Sequence, residues 1–325
     1  MKELGRIVIN PYGEERPVYS PLVERTTPPE NVIIFPDKKE HHIDWRLNLH
    51  HIGEIAKVIE DAEIVQEEGT FRVPLTNPKV PFAMGLIFAD GHIGSYTTDS
   101  QLIIDLMDTV LTTPNSFLVD AGDTFDNGIW GGLQFEQVLP PYMQTFTVED
   151  MMRELGERYA ACVIGNHPEW LFTSAGQKPE MMFAQKMKGP VFPGMGLLHL
   201  QVGQQQYDWA IAHNYWGKSK INIHNTCVRL RENEYPQADV FTVAHEHIWG
   251  YMKEMVDGRE VLYTRPGTAK LRDRYARIHG IAKRGQQCGL AVIFGAEKRE
   301  FNAYTINDAV SLMKLREEIE DKAAE

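Results

Sequence analysis

Five short apolar runs in this chain each stop abruptly at a residue with a lone pair to offer. Pro81 to Ala89 ends at Asp90-Gly91-His92, and Ser116 to Val119 ends at Asp120-Ala121-Gly122-Asp123-Thr124-Phe125-Asp126. Tyr159 to Ile164 ends at Gly165-Asn166-His167, Tyr207 to Ala212 at His213, and Asp239 to Ala244 at His245-Glu246-His247. Runs of this length bounded by turn residues predict buried strands. Between the first two lies Asp99 to Thr112, where Ile103, Leu106, Met107, Val110 and Leu111 share one helical face and Pro114 closes the helix. Helix alternating with strand predicts a layered α/β fold.

Elsewhere the pattern is less regular. Residues 134 to 157 carry helical patches broken at Pro140-Pro141, with a second helix expected from Val148 through Leu155. A methionine-rich helix is expected over Lys178 to Met187, then a long loop through Gly196 and a strand over Leu197 to Val202. The end of the chain predicts a strand at Val261 to Thr264 and a hairpin of Gly289 to Phe294 with Arg299 to Thr305. A final helix is expected to be capped by Asn307 and to turn Leu312, Leu315 and Ile319 inward. At the other end, residues 1 to 40 read as a proline-rich extended arm with one strand at Asn31 to Phe35. Ile43 to Glu63 has the spacing of an amphipathic helix, with His41, His42, His50 and His51 as surface histidines, and Gln66 to Pro78 reads as linker. The expected organisation is an arm and helix over 1–80, a core over 81–306 and a terminal helix over 307–325.

Composition narrows the class without choosing it. With 43% hydrophobic and 24% charged residues the chain has ordinary globular content. A formal net charge of -12 disfavours a protein that coats nucleic acid with its whole surface, while leaving room for a local basic groove. Three widely spaced cysteines, Cys162, Cys227 and Cys288, give no disulfide framework, which fits a reducing cytoplasm. No run is long enough for a membrane span, so no membrane partner is expected.

The polar ends of the five runs carry the chemistry. Asp, Asn and His are the oxygen and nitrogen donors that hold divalent manganese, iron or zinc. A glycine before Asp123 lets the backbone turn closely around whatever that carboxylate holds, and Asp123 is expected to bridge two metal ions. Each motif alone is weak, but the order Asp90-x-His92, Gly122-Asp123-x-x-Asp126, Gly165-Asn166-His167, His213, His245-x-His247 resembles the calcineurin-like metallophosphoesterase family across roughly residues 81 to 270. The resemblance implies two packed mixed β-sheets flanked by helices, with metals at the strand ends. One metal is implied at Asp90, His92, Asp123 and His247, and a second at Asp123, Asn166, His213 and His245. His167 is implied as the histidine beside the substrate, and Asp126 as a residue orienting a ligand. The implied cofactor is a pair of divalent ions, Mn2+ first and Fe or Zn as alternatives. The implied reaction is phosphate-ester hydrolysis by a metal-bridging hydroxide. This chain departs from the family in placing Pro168 between His167 and the acidic Glu169, and Ala244 where a glycine is usual.

Two features bear on substrate. Arg265, Lys270, Arg272, Arg274, Arg277, Lys283 and Arg284 are crowded around a single acid, Asp273, a local reversal of charge that suits a polyanion. Lys218, Lys220, Arg229 and Arg231 could border the same groove, and Tyr215 and Trp216 could stack on a base. The opening Asp90-Gly91-His92-Ile93-Gly94 is similar to the family's DNA-repair exonuclease branch. Phosphodiester or nucleic-acid cleavage, with DNA or RNA as the partner, is therefore the first expectation. A phosphomonoesterase or small-nucleotide phosphatase is the alternative, and an inactive scaffold of the same fold comes last.

Overall fold

The computed structural model describes residues 7–9, 15–17, 67–129, 131–176, 183, 187–219, 221–271 and 288–324. The chain divides into two compact units, Met1–Glu63 and Ile64–Glu325. In the first, β1 (Ile7–Ile9) and β2 (Glu15–Pro17) pair antiparallel. The expected strand at Asn31, the amphipathic helix, its four histidines and most of the methionine-rich helix lie outside the described residues.

The second unit is built on two mixed sheets of six strands each. One has at its centre β4 (Phe82–Phe88), β5 (Ser116–Asp120) and β6 (Tyr159–Ile164), all parallel, with β7 (Val191–Pro193) parallel at the edge. β13 (Leu290–Gly295) and β14 (Phe301–Tyr304) complete it antiparallel, as the hairpin spacing predicts. The other sheet runs in the order β11 (Trp249–Val256), β12 (Arg259–Pro266), β10 (Val240–Val243), β9 (Gln205–Ala212), β8 (Met195–Val202), β3 (Glu68–Arg72). The central strands are buried along their whole length because both faces of each sheet are covered.

Between the sheets, Ile87, Phe117, Val119 and Phe294 of one meet Leu198, Trp209, Ile211 and Leu262 of the other. Helices cover the outer faces. α1 (Ser100–Thr112) and α2 (Pro141–Leu155) pack on β4, β5 and β6 through Leu106, Val110, Val148 and Met152. α3 (Asn166–Ala175) follows β6 directly. α4 (Asn225–Asn233) packs Cys227 and Leu230 on β9, β10 and β12, and α5 (Ile306–Ala324) packs Ala309 and Met313 on β4 and β13. This is the α/β sandwich that the motif order implies.

Several expectations are corrected. The segment read as linker contains β3, an edge strand with only Phe71 buried, so its polar content hid it. α2 starts at Pro141, seven residues before the expected Val148, because proline is tolerated in a helix's first turn, where its missing N–H has no partner to lose. β7 and β11, both partly exposed edge strands, lie where no strand was expected. The last helix is capped by the Thr305 hydroxyl, which accepts from the Asp308 N–H at 3.3 Å, and not by Asn307. Leu315 and Ile319 face solvent; Ala309 and Met313 take the inward places.

Candidate metal centre

The five apolar runs are β4, β5, β6, β9 and β10, and their polar ends meet at one edge of the sandwich. Three groups of potential ligands have their atoms within 4.8 Å of one another: Asp90, His92 and His247; His92, Asp123 and His167; Asp123, His213 and His245. Asp123 joins the second and third groups, and Asn166 is brought to the third by its amide oxygen, 3.2 Å from His213 Nε2. All seven residues expected as metal ligands are therefore gathered.

Local backbone explains how short turns deliver so many donors. Asp90, His92, Asp123, His245 and His247 all have positive φ, between 47° and 66°. Asp and His enter this left-handed region more readily than most side chains, but each instance stores on the order of 1–3 kcal/mol of strain. Gly122, at φ +99°, lies so close to His213 that a β-carbon would sit 2.6 Å from its Nδ1. Gly165 sits against Asp123 in the same way. The next residues open α3, and Asp123 Oδ1 accepts the His167 N–H at 2.9 Å, satisfying one of the helix's unpaired first-turn donors. Pro168 falls in that first turn, so it leaves the position of His167 undisturbed.

Hydrogen-bond roles fix which nitrogens face the centre. His213 Nδ1 donates to the Ala121 carbonyl at 2.9 Å, which in a neutral ring leaves Nε2 as a lone pair. That Nε2 meets Asp123 Oδ2 at 3.0 Å, Asn166 Oδ1 at 3.2 Å and His245 Nδ1 at 3.2 Å. Likewise His92 Nδ1 donates to the Asp126 carboxylate at 2.8 Å, turning its Nε2 toward His247 Nε2 at 3.2 Å and Asp90 Oδ1 at 3.9 Å. Asp90 Oδ2 accepts the His245 N–H at 3.0 Å, whereas Oδ1 is buried and accepts no hydrogen bond. Acceptors thus converge on two places without donors to match. A buried acceptor left unmatched costs about 1–3 kcal/mol, and a divalent cation at each place removes that cost. By this test the donor set fits two metal ions.

Protonation follows the same logic. Burial, with the charges of Lys270 and His167, brings His92 down to about 4. Burial, with the charge of His213, does the same for His245, also to about 4. His213 is opposed by burial yet pushed up to about 9 by Asp123, whose carboxylate attracts and bonds the ring; a proton there serves the surplus of acceptors that a cation would serve. Burial works against the Asp123 and Asp126 carboxylates too, but the charges and hydrogen bonds of His213 and His92 hold both well below the usual range.

His167 is 8% exposed, its ring 4.5 Å from that of His92 and 4.1 Å from Trp170. Its Nδ1 donates to the Asp126 carbonyl, leaving Nε2 4.0 Å from Asp123 Oδ2. Asp126 lies behind the candidate ligands, bonded to His92, Lys270 and Gln137.

The basic stretch is placed differently from expectation. Arg265 is 1% exposed, and its guanidinium donates to the Ile223 and Ala244 carbonyls, the Thr226 hydroxyl and Glu246 Oε2. It fastens the His245-x-His247 turn from behind and presents no surface to a substrate. Lys270 is also buried, its Nζ 2.9 Å from Asp126 Oδ1 and 4.0 Å from Glu136 Oε2. A run of cations in sequence looked like a phosphate track because spacing alone does not show which are turned inward. Arg272 and Arg274 lie outside the described residues.

Sequence reasoning missed other supports. Thr268 donates to the Asp90 carbonyl at 2.8 Å, Gln144 connects Gln137 to the Asn127 N–H, and Tyr159 donates to Asp120 at 2.5 Å beneath the Asp123 turn. No spacing rule connects residues so far apart in the chain.

No protein-family model and no curated protein sequence matches the chain. Among solved structures it is similar to Vacuolar Protein Sorting 29 from Cryptosporidium parvum, at 13% identity and a TM-score of 0.36, over 69% of this chain and 96% of that one. It is similar to Vps29 from Chaetomium thermophilum at 11% identity and a TM-score of 0.35, over 70% and 95%. A third is the Pseudomonas putida nuclease MPE, at 15% identity and a TM-score of 0.30, over 68% and 87%. Likeness at this level assigns no activity to this chain.

Proposed function

We propose that this protein is a phosphoesterase that depends on two divalent metal ions. The observation that carries the reading is the convergence of Asp90, His92, Asp123, Asn166, His213, His245 and His247, with acceptors facing acceptors and Asp90 Oδ1 unmatched. Asp90, His92, Asp123 and His247 would hold one ion, and Asp123, Asn166, His213 and His245 the other. Bound there, divalent ions, Mn2+ first among them, supply Lewis acidity for a phosphoryl group and lower the pKa of water.

The chain's own residues supply the rest. The Asp126 carboxylate fixes the ring of His92, and the Asp126 carbonyl fixes that of His167. With Nδ1 committed, His167 keeps Nε2 for a substrate oxygen, where it would stabilise charge on the leaving oxygen or protonate it, a role typically contributing about 10²–10⁴ in rate. Lys270 and Gln137 hold Asp126 in place.

Phosphodiesters are the first substrate class, supported by the Asp90-Gly91-His92-Ile93-Gly94 opening. Small phosphomonoesters are the second, favoured by the inward placement of Arg265 and Lys270, which removes two cations from any phosphate track. The test is hydrolysis of bis-p-nitrophenyl phosphate and p-nitrophenyl phosphate with added Mn2+ and with chelator. Metal-dependent turnover that His167→Ala lowers by about 10²-fold or more agrees with the proposal. Turnover indifferent to chelator, or none with any divalent ion, overturns it.

A further inference from the structure

The loop after β9 contains an aromatic side chain and a cation that the metal centre does not use. Trp216 is 57% exposed, although it lies only three residues beyond His213. The guanidinium of Arg229 lies over its ring at 5.2 Å and is held in turn by Glu232 at 3.0 Å, and Tyr215 packs beside it at 6.2 Å. An exposed tryptophan buttressed in this way has an orientation fixed before any ligand arrives.

The loop itself is fastened to the metal centre's surroundings. Asn225, the first residue of α4, donates to the Gly217 carbonyl, and Gly217 has φ +98° with Arg229 against it. One residue further along α4, Thr226 accepts from Arg265, the same guanidinium that holds Ala244 and Glu246 on either side of His245. The path from Trp216 to the His245 turn thus runs through bonded neighbours. Lys218, two residues beyond Trp216, is exposed and makes no ion pair among the described residues.

We infer that Trp216 is a stacking platform for a nucleobase and that Lys218 takes a phosphate beside it, so the substrates of this centre are nucleotide phosphodiesters. The inference rests on the phosphoesterase reading and narrows it. A base stacks on any π-face without regard to sequence, and one lysine adds one phosphate contact. Hydrolysis adds water across the ester: a bond forms from the water oxygen to phosphorus, the P–O bond to the leaving group breaks, the leaving oxygen keeps the electron pair, and of the water's two protons one goes to the leaving oxygen and the other to the phosphate product or solvent.

Two chromogenic diesters with the same leaving group provide the test: the p-nitrophenyl ester of thymidine 5′-monophosphate, and methyl p-nitrophenyl phosphate, which has no base. Trp216→Ala is expected to raise KM about 5- to 150-fold on the thymidine ester, while Trp216→Phe keeps most of the affinity. Both variants should leave the methyl ester within about twofold, since stacking needs a base. Lys218→Met should lower the salt slope of tetrathymidylate binding by about 0.7. Equal effects on both esters, or none on either, overturn the inference while leaving a phosphoesterase. If neither ester is hydrolysed but tetrathymidylate binding still depends on Trp216, the platform stands and the reaction assigned to the centre does not. Absence of both overturns both.

Discussion

At the residue scale, what decides the chemistry of the centre is where each ring nitrogen spends its hydrogen. Ala121 and Asp126 take the Nδ1 hydrogens of His213 and His92, and both rings turn Nε2 toward the other ligands. A pH dependence follows. With His92 and His245 at about 4, both rings are neutral at neutral pH, each with a single N–H, whereas His213, raised from 6.5 to about 9, carries a second proton and is charged. A raised folded pKa means that His213 stabilises the metal-free fold fully below 6.5 and that this contribution is lost as pH rises through about 9. A cation entering beside Asp123 has to expel that proton. Metal affinity is therefore expected to rise about tenfold per pH unit up to that range and then level off. Calorimetry at pH 7.5 in buffers of different ionisation enthalpy should register about one proton released; a pH-independent affinity would contradict the assignment of His213.

At the element scale, strands are what the sequence exposed most clearly. β4, β6 and β10 are apolar over nearly their whole length, and β5 and β9 are so where they approach the centre, so the donors that follow each run could be read directly. The donors were legible for a further reason, since Asp, Asn and His in a turn after a strand serve both an αL backbone and a metal. β3 and β11 were not legible, because an edge strand buries one face at most and mixes Glu68, Arg72, Lys253 and Glu254 with its apolar positions. The inward turn of Arg265 and Lys270 was hidden for a related reason: burial of a cation depends on an acid brought from elsewhere, Glu246 in one case and Asp126 in the other. Packing between the sheets makes its own prediction. Gly85 in β4 faces the Phe117 ring, where an added β-carbon would stand 2.7 Å from Cζ and 3.1 Å from Trp209. Gly85→Ala should cost about 1–3 kcal/mol, read as a lower denaturant midpoint with metal content unchanged. An unchanged midpoint would show that the two sheets are packed less tightly there than described.

At the scale of the whole molecule, the sandwich serves to bring together strand ends that the chain keeps far apart. Asp90 and His247 are separated by 157 positions yet meet at 3.4 Å. Five of the seven proposed ligands stand in strained backbone; hydrogen bonds donated by Thr268 and Arg265 hold the turns that carry them, and the Asp126 carboxylate holds the His92 ring. No described helix is long and apolar enough to cross a membrane. Everything proposed about catalysis depends on two cations sharing Asp123, and metal stoichiometry tests that directly. Protein loaded with Mn2+, freed of excess ion and assayed by elemental mass spectrometry should carry about two equivalents, and Asp123→Asn, which removes the shared charge but keeps the side chain's shape, should carry fewer than one. Retention of two equivalents by the variant, or of none by the unaltered protein, would contradict the account.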